Sequence, residues 1–384
     1  MEVDNAVSSY LQAQQRQAPA GLAARFAEFE ELYERKVWHQ LTKAVEAFIN
    51  LPEAAPYRIG VYNEFVRDWQ KHMSKVKLVL FALAAARQLD SIPDAAAFME
   101  RVADEVNKPD SQEAYALASL ECAHFRLLLN DLDATRDALE KCQAMVESFA
   151  HVDPVIYASF YRVCADYYKA KAAYGQYYKN ALLLLACIDV HELAAEDRTQ
   201  RAYDLAIAAL LSDSIYNFGD LLSHSIMDAL RGTESEWMVA LLQAFNAGDI
   251  AAFERLAARL QAQPMLAQSA PFLQQKIRLM ALIESMFRRQ GAAAARAVPF
   301  AVVSAETRLP AGEIEHLVMK ALSLGLIRGS IDQVAQHITV QWVQPRYLGK
   351  DQIQSLADRL AQWESRVTAT AQRMEGAAPE LFAR

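Results

Sequence analysis

Gly312-Glu313-Ile314-Glu315-His316-Leu317-Val318-Met319-Lys320-Ala321-Leu322-Ser323-Leu324 carries Ile314, Leu317, Val318 and Ala321 on one helical stripe. Past Gly325 the period changes. Leu326-Ile327-Arg328-Gly329-Ser330-Ile331 reads as one strand. After the turn Asp332 to Gln336, His337-Ile338-Thr339-Val340-Gln341-Trp342-Val343 alternates, with Ile338, Val340 and Trp342 facing one way and Thr339 and Gln341 the other. A short helical segment around Phe300 to Glu306 comes first, between Pro299 and Pro310. Two helices and a β-hairpin in this order make a winged helix, expected over residues 298–346.

Outward toward the C-terminus, Pro345 ends the hairpin and a last helix is expected from about Asp351 to Met374, within residues 350–376. Ile353, Leu356, Leu360, Trp363 and Val367 follow steps of three and four, an a/d seam of about two heptads. The seam suits either folding back on the parent domain or bundling with other chains. Its place beyond the domain end adds weight to bundling.

Toward the N-terminus, residues 22–290 read as consecutive helices with short connections. Leu32, Val37, Leu41, Val45 and Phe48 keep near one stripe, and nothing in this region alternates like a strand. Two breaks look alike: Asn130-Asp131-Leu132-Asp133-Ala134 and Gly248-Asp249-Ile250-Ala251-Ala252. In each, a residue tolerant of left-handed backbone ends one helix and an Asp caps the next. Helical hairpins stacked in series form an α-solenoid of TPR-like character. Residues 1–21 are expected to be a flexible N-terminus. The fold expected is therefore mainly α: a helical-repeat arm, a winged helix and a terminal helix.

Composition agrees. In 384 residues, 53% of them hydrophobic, there are only 12 Gly and 12 Pro, so helix breakers are scarce. A net charge of −8 opposes binding to polyphosphate. The longest apolar run, Leu78 to Ala86, falls far short of the roughly 20 residues of a membrane span, so no membrane partner is expected. Glu2 and Asp4 stand where a signal peptide would be positive, and no export is expected. Cys122, Cys142, Cys164 and Cys187 lie in apolar helical stretches without a C-x-x-C pair and read as buried thiols in a reducing compartment.

Catalytic patterns are incomplete. His191-Glu192 begins like a zinc-protease helix, but the second ligand position is Ala195. Asp131, Asp133 and Asp137 suggest a calcium loop, yet Arg136 and Cys142 stand where Gly and Glu are needed. No phosphate loop, G-x-G-x-x-G run or G-x-S-x-G elbow occurs, so neither cofactor, metal nor catalytic residue is assigned. As a DNA reader the second winged-helix segment would present Glu313, Glu315 and His316 with only Lys320 as a cation, and no nucleic-acid partner is expected. Protein contact is the better use of the module. The apolar face of His337–Val343 is expected to pack on the module's own helices. The backbone edge of that strand is the expected partner surface.

Several blocks carry a family likeness: Leu32-Tyr33-Glu34-Arg35-Lys36-Val37-Trp38-His39-Gln40-Leu41, Tyr177-Tyr178-Lys179-Asn180-Ala181-Leu182 and Tyr216-Asn217-Phe218-Gly219-Asp220-Leu221-Leu222. The densest run from His316 through Gly325-Leu326-Ile327-Arg328-Gly329-Ser330-Ile331-Asp332 to Thr339-Val340-Gln341-Trp342-Val343-Gln344-Pro345-Arg346. With the architecture, they make the chain resemble PCI-domain scaffold subunits of the 26S proteasome lid. PCI subunits also serve the COP9 signalosome and translation initiation, which stand as alternatives, with an enzyme of unrecognised site a further one. The resemblance implies a non-catalytic role in ubiquitin-dependent degradation, in cytoplasm and nucleus. It implies as partners other lid PCI subunits, the deubiquitinase module and a ubiquitin receptor. Interface residues expected are Ile327, Ile331, Ile338, Val340 and Trp342 for the lateral PCI contact, and Ile353, Leu356, Leu360, Trp363 and Val367 for a helix bundle.

Overall fold

The computed structural model describes residues 2–149, 153–261, 263–289, 297–345 and 350–377. The chain divides into two compact units, Met1–Glu192 and Leu193–Arg384. The first consists of helices α1 (Glu2–Gln17), α2 (Ala20–Glu34), α3 (Trp38–Ile49), α4 (Lys75–Ala86), α5 (Ile92–Val106), α6 (Gln112–Leu128), α7 (Leu132–Ser148), α8 (Pro154–Ala170) and α9 (Tyr174–Cys187). Shorter helical turns join α3 to α4, among them a π-helical stretch, Val61–Val66. One apolar cluster runs from Val7 to Tyr167, with Phe26, Phe29, Phe48, Phe65 and Trp69 fully buried. Phe26 meets Phe48 edge to face at 5.2 Å, the arrangement that aromatic quadrupoles favour.

The N-terminal residues, expected to be flexible, instead form α1. Val7 and Leu11 are buried, and a Cβ on Gly60 would come within 2.7 Å of the Tyr10 hydroxyl. The bare glycine backbone lets Tyr10 settle there. Val7, Tyr10 and Leu11 are one narrow i, i+3, i+4 stripe among polar neighbours, too sparse to mark a docked helix from sequence.

A single turn geometry recurs where helices reverse. Lys36, Asn130, Ala172 and Gly248 take left-handed backbone, with φ of 55, 63, 56 and 67°. At each, the left-handed residue donates to the carbonyl three back and the next donates to the carbonyl five back: Lys36 to Tyr33 and Val37 to Leu32, Asn130 to Leu127 and Asp131 to Arg126. Ala172 to Lys169 with Ala173 to Tyr168, and Gly248 to Phe245 with Asp249 to Ala244, repeat it. This is the Schellman closure of a helix end. Asp131 and Asp249 then cap the following helices, accepting from the amides of Ala134 and Ala252 at 3.1 and 3.0 Å.

The second unit holds α10 (Ala195–Leu211), α11 (Glu236–Ala247), α12 (Ile250–Gln261), α13 (Ala270–Arg289), β1 (Ala297–Pro299), α14 (Phe300–Thr307), α15 (Ala311–Ser323), β2 (Ile327–Asp332), β3 (His337–Val343) and α16 (Lys350–Ala377). Helix α13 is its spine. It buries Leu273, Ile277, Met280, Leu282 and Met286, and packs against α11, α12, α14 and β3. The α11–α12 turn approaches so closely that a Cβ on Gly248 would lie 2.7 Å from the Ala281 Cα. The winged helix follows, as a three-stranded antiparallel sheet in the order β1-β3-β2 with α14 and α15 between β1 and β2. The Phe300 amide donates to the Gln336 carbonyl at 2.9 Å, fixing the start of α14 on the hairpin turn.

Candidate assembly interface

The sheet corrects one expectation. Strand β3 is central, since β1 pairs with it at Ala297↔Thr339, Val298↔Ile338 and Pro299↔His337, while β2 lies on its other side. The outer hairpin strand is therefore β2. Sequence reading missed β1 because three residues ending in Pro299 carry no legible alternation.

Register decides which side chains remain available. Ile327 pairs with Val343 and Arg328 with Trp342, but Gly329 pairs with Val340, leaving Gln341 as an extra residue in β3. This β-bulge reverses the facing of everything after it. Val343 is buried in place of Trp342, and Trp342 turns to the opposite face, where the Arg328 guanidinium stacks 4.8 Å from the ring centre. Gly329 makes the bulge possible: a Cβ there would fall 2.1 Å from the Thr339 carbonyl oxygen. A lone glycine inside a strand was the available sign.

Of the residues expected at the lateral contact, Ile327, Ile338 and Val340 are buried in the module itself. Ile331 and Trp342 are partly accessible. On the exposed side of the module, Gln333 donates to the Glu315 carboxylate at 3.1 Å.

Helix α16 is different. Ile353, Leu356, Leu360, Trp363 and Val367 are 54, 45, 58, 66 and 48% exposed, and Met374, 58% exposed, extends the row by one heptad. Each lies on the same face by the three-and-four spacing. Such a continuous uncovered apolar row is uncommon on the free surface of a protein. Sequence reading stopped at Val367 because the intervening position, Thr370, is polar.

Among the described residues no group of three or more His, Cys, Asp or Glu could hold a metal, and no helix is long and apolar enough to cross a membrane. Burial pushes the Cys122, Cys142 and Cys164 thiols up to about 12, which keeps them protonated and unreactive.

Helical hairpins leading into a winged helix with a following terminal helix define a PCI-domain protein. The PCI domain family matches residues 253–342, and the family described as PSD13 N-terminal repeats matches residues 25–242. The chain thus belongs to the family of 26S proteasome non-ATPase regulatory subunit 13, also called Rpn9. It is 39% identical to the regulatory subunit rpn9 of Schizosaccharomyces pombe, over 94% of both chains. Identity is 36% with subunit 13 homolog B of Arabidopsis thaliana, over 98% of this chain and 100% of that one, and 33% with RPN9 of Saccharomyces cerevisiae, over 98% of each. Subunit M of translation initiation factor 3 from Aspergillus oryzae is 29% identical over 44% of this chain and 37% of its own.

Proposed function

We propose that this protein is a non-catalytic scaffold subunit of the proteasome regulatory-particle lid, acting in ubiquitin-dependent protein degradation. The observation that carries the contact assignment is the uncovered apolar row on α16. That row enters a bundle with helices of other subunits, while β2 with Ile331 and Trp342 meets a neighbouring PCI module. Other lid PCI subunits are the direct partners, with the deubiquitinase module and a ubiquitin receptor held through the assembly, in cytoplasm and nucleus. Full-length relatives named as proteasome subunits support this reading over a translation-initiation complex, whose subunit matches less than half the chain.

Truncation after Pro345 tests the bundle. The shortened chain should stay soluble and keep its thermal midpoint, because the six apolar side chains of the row that are removed are exposed, while its incorporation into lid particles should fall at least tenfold. Equal incorporation would refute the bundle. Affinity purification of the intact chain with mass spectrometry should return proteasome subunits; recovery of signalosome or initiation-factor subunits instead would move the protein to another PCI complex.

A further inference from the structure

Helix α16 carries a second pattern beside its apolar row. Arg359, Arg366 and Arg373 stand seven residues apart, each immediately before a member of the row: Leu360, Val367 and Met374. With the row at the a and d positions of a heptad, all three arginines fall at g, along one flank. The flank on the other side of the row, position e, carries Ala357, Glu364 and Ala371. All six of these flanking side chains are exposed.

The arginines have no counter-charge within their own helix. Only positions three and four away face a helical residue, and around these arginines they hold Ser, Leu, Gln, Trp, Ala, Thr or Gly in every case. Asp358, Glu364 and Glu375 stand one or two positions off, where side chains do not meet. No described residue pairs with any of the three guanidinium groups. A column of positive charge thus borders an uncovered apolar face, in a protein whose net charge is −8.

Where helices pack through such a row, the charges on the flanks set which partner is accepted. A second copy of this chain would answer only one arginine, since parallel packing sets Arg359 against Glu364 but Arg366 against Ala371. Antiparallel packing would set the arginines against one another. A helix lying on anionic lipid has a polar face rich in cations, whereas here cations line one flank alone and the other is neutral to acidic.

We propose that the occupant of this face is an amphipathic helix of a different subunit, with Asp or Glu at heptad spacing along the flank that meets Arg359, Arg366 and Arg373. The proposal rests on the bundle reading above and adds the chemistry of the partner. The apolar row supplies the burial, and the arginine column selects among helices by repelling those with Lys or Arg on that flank.

Natural and variant chains with different tags, expressed together, compete for the complex that the natural chain enters. Their ratio in the purified complex, divided by that in the soluble pool, reads incorporation. Replacing Arg359, Arg366 and Arg373 together by glutamine should lower incorporation about threefold or more. Gln354→Glu, Ser365→Glu and Gln372→Glu together make the same change in net charge away from that flank and should leave incorporation unchanged. Both triple variants should keep the natural thermal midpoint, since every substituted position is exposed. Arg366→Lys should retain incorporation, and carbodiimide treatment should couple the introduced amine to Asp or Glu on a helix of another subunit. A smaller fall, equal effects of the two triple variants, a lowered midpoint of the glutamine variant, or no such coupling would each overturn the proposal. Coupling of the amine in Arg359→Lys to Glu364 of a second copy would overturn it in favour of self-association. Arginine-dependent sedimentation of the full chain with vesicles containing about 30% phosphatidylserine would overturn it in favour of lipid. The ratio is read whichever subunits the complex contains, so a complex without proteasome subunits would end the lid reading and leave the acidic partner helix standing.

Discussion

At Lys276 an amine takes the place of the backbone donors that the last turn of α10 lacks. This side chain of α13 is 1% exposed, and its Nζ donates to the carbonyls of Ala209, Leu210 and Ser212 at 2.8, 3.1 and 2.6 Å. The rings of Tyr216 and Phe218 each lie 5.3 Å away, and Phe272 lies at 5.7 Å. Three acceptors and three ring faces suit an ammonium at a helix C-terminus. Burial nevertheless pushes its pKa down to about 7, with the Asp213 carboxylate opposing. The unfolded chain has the ordinary value of 10.5, so between about pH 7 and 10.5 it binds more protons than the folded one. Stability therefore rises with pH in that window, by a few kcal/mol in all, and is lower where both states are protonated below it. Thermal unfolding from pH 7 to 9.5 should show a rising midpoint for the natural chain. In Lys276→Met that rise should vanish, and at pH 7 the variant should be less stable because three carbonyls lose their donor, at about 1–3 kcal/mol each. An identical rise in both proteins would assign it to other groups.

The Schellman turns show at the level of elements what a sequence discloses and what it hides. Asn130 and Gly248 signal two of the four helix reversals because these residue types tolerate left-handed backbone, and the Asp after each supplies a cap. Lys36 and Ala172 adopt the same φ without either property. Packing of the flanking helices imposes the turn on them, so tertiary context overrides local preference. The strand His337–Val343 was legible to the residue from its alternation, but the outward facing of Trp342 was not. A bulge changes parity without changing composition, and only Gly329 hinted at it. Ala172 offers a direct check, since it is exposed and left-handed. Ala172→Gly should relieve the Cβ strain without losing a contact and stabilise the first unit by about 1 kcal/mol, net of the added freedom of the unfolded chain. The thermal midpoint should rise by about 2–4 °C. A fall would mean that the Ala172 methyl group contributes packing.

Over the whole molecule, exposed apolar faces were legible where they do not take part in the protein's own core. Period alone placed five α16 residues on one face, and the structure leaves that face uncovered. Three of the five winged-helix candidates were instead absorbed into the module, because an alternating strand shows the same pattern whether its apolar face meets its own helices or a partner. How far the exposed row can act alone follows from magnitudes. Burying a large apolar side chain contributes roughly 1.5–3 kcal/mol, so five are of the same order as the roughly 4–15 kcal/mol that association costs. A free helix must also be ordered before it can dock. In the proposed bundle the row would therefore hold well only when another contact has already brought the chain to its site, raising its effective concentration to roughly the millimolar range. A synthetic peptide of residues 350–377 should then fail to displace the intact chain from assembled lid particles at tens of micromolar, although deleting the same helix from the chain impairs incorporation. Leu360→Ser and Trp363→Ser together should reproduce much of that deletion while leaving the thermal midpoint unchanged, since both side chains are more than half exposed. Displacement by the peptide at about 1 µM or below would place the whole contact in the helix and leave the winged-helix edge with no part in holding this subunit.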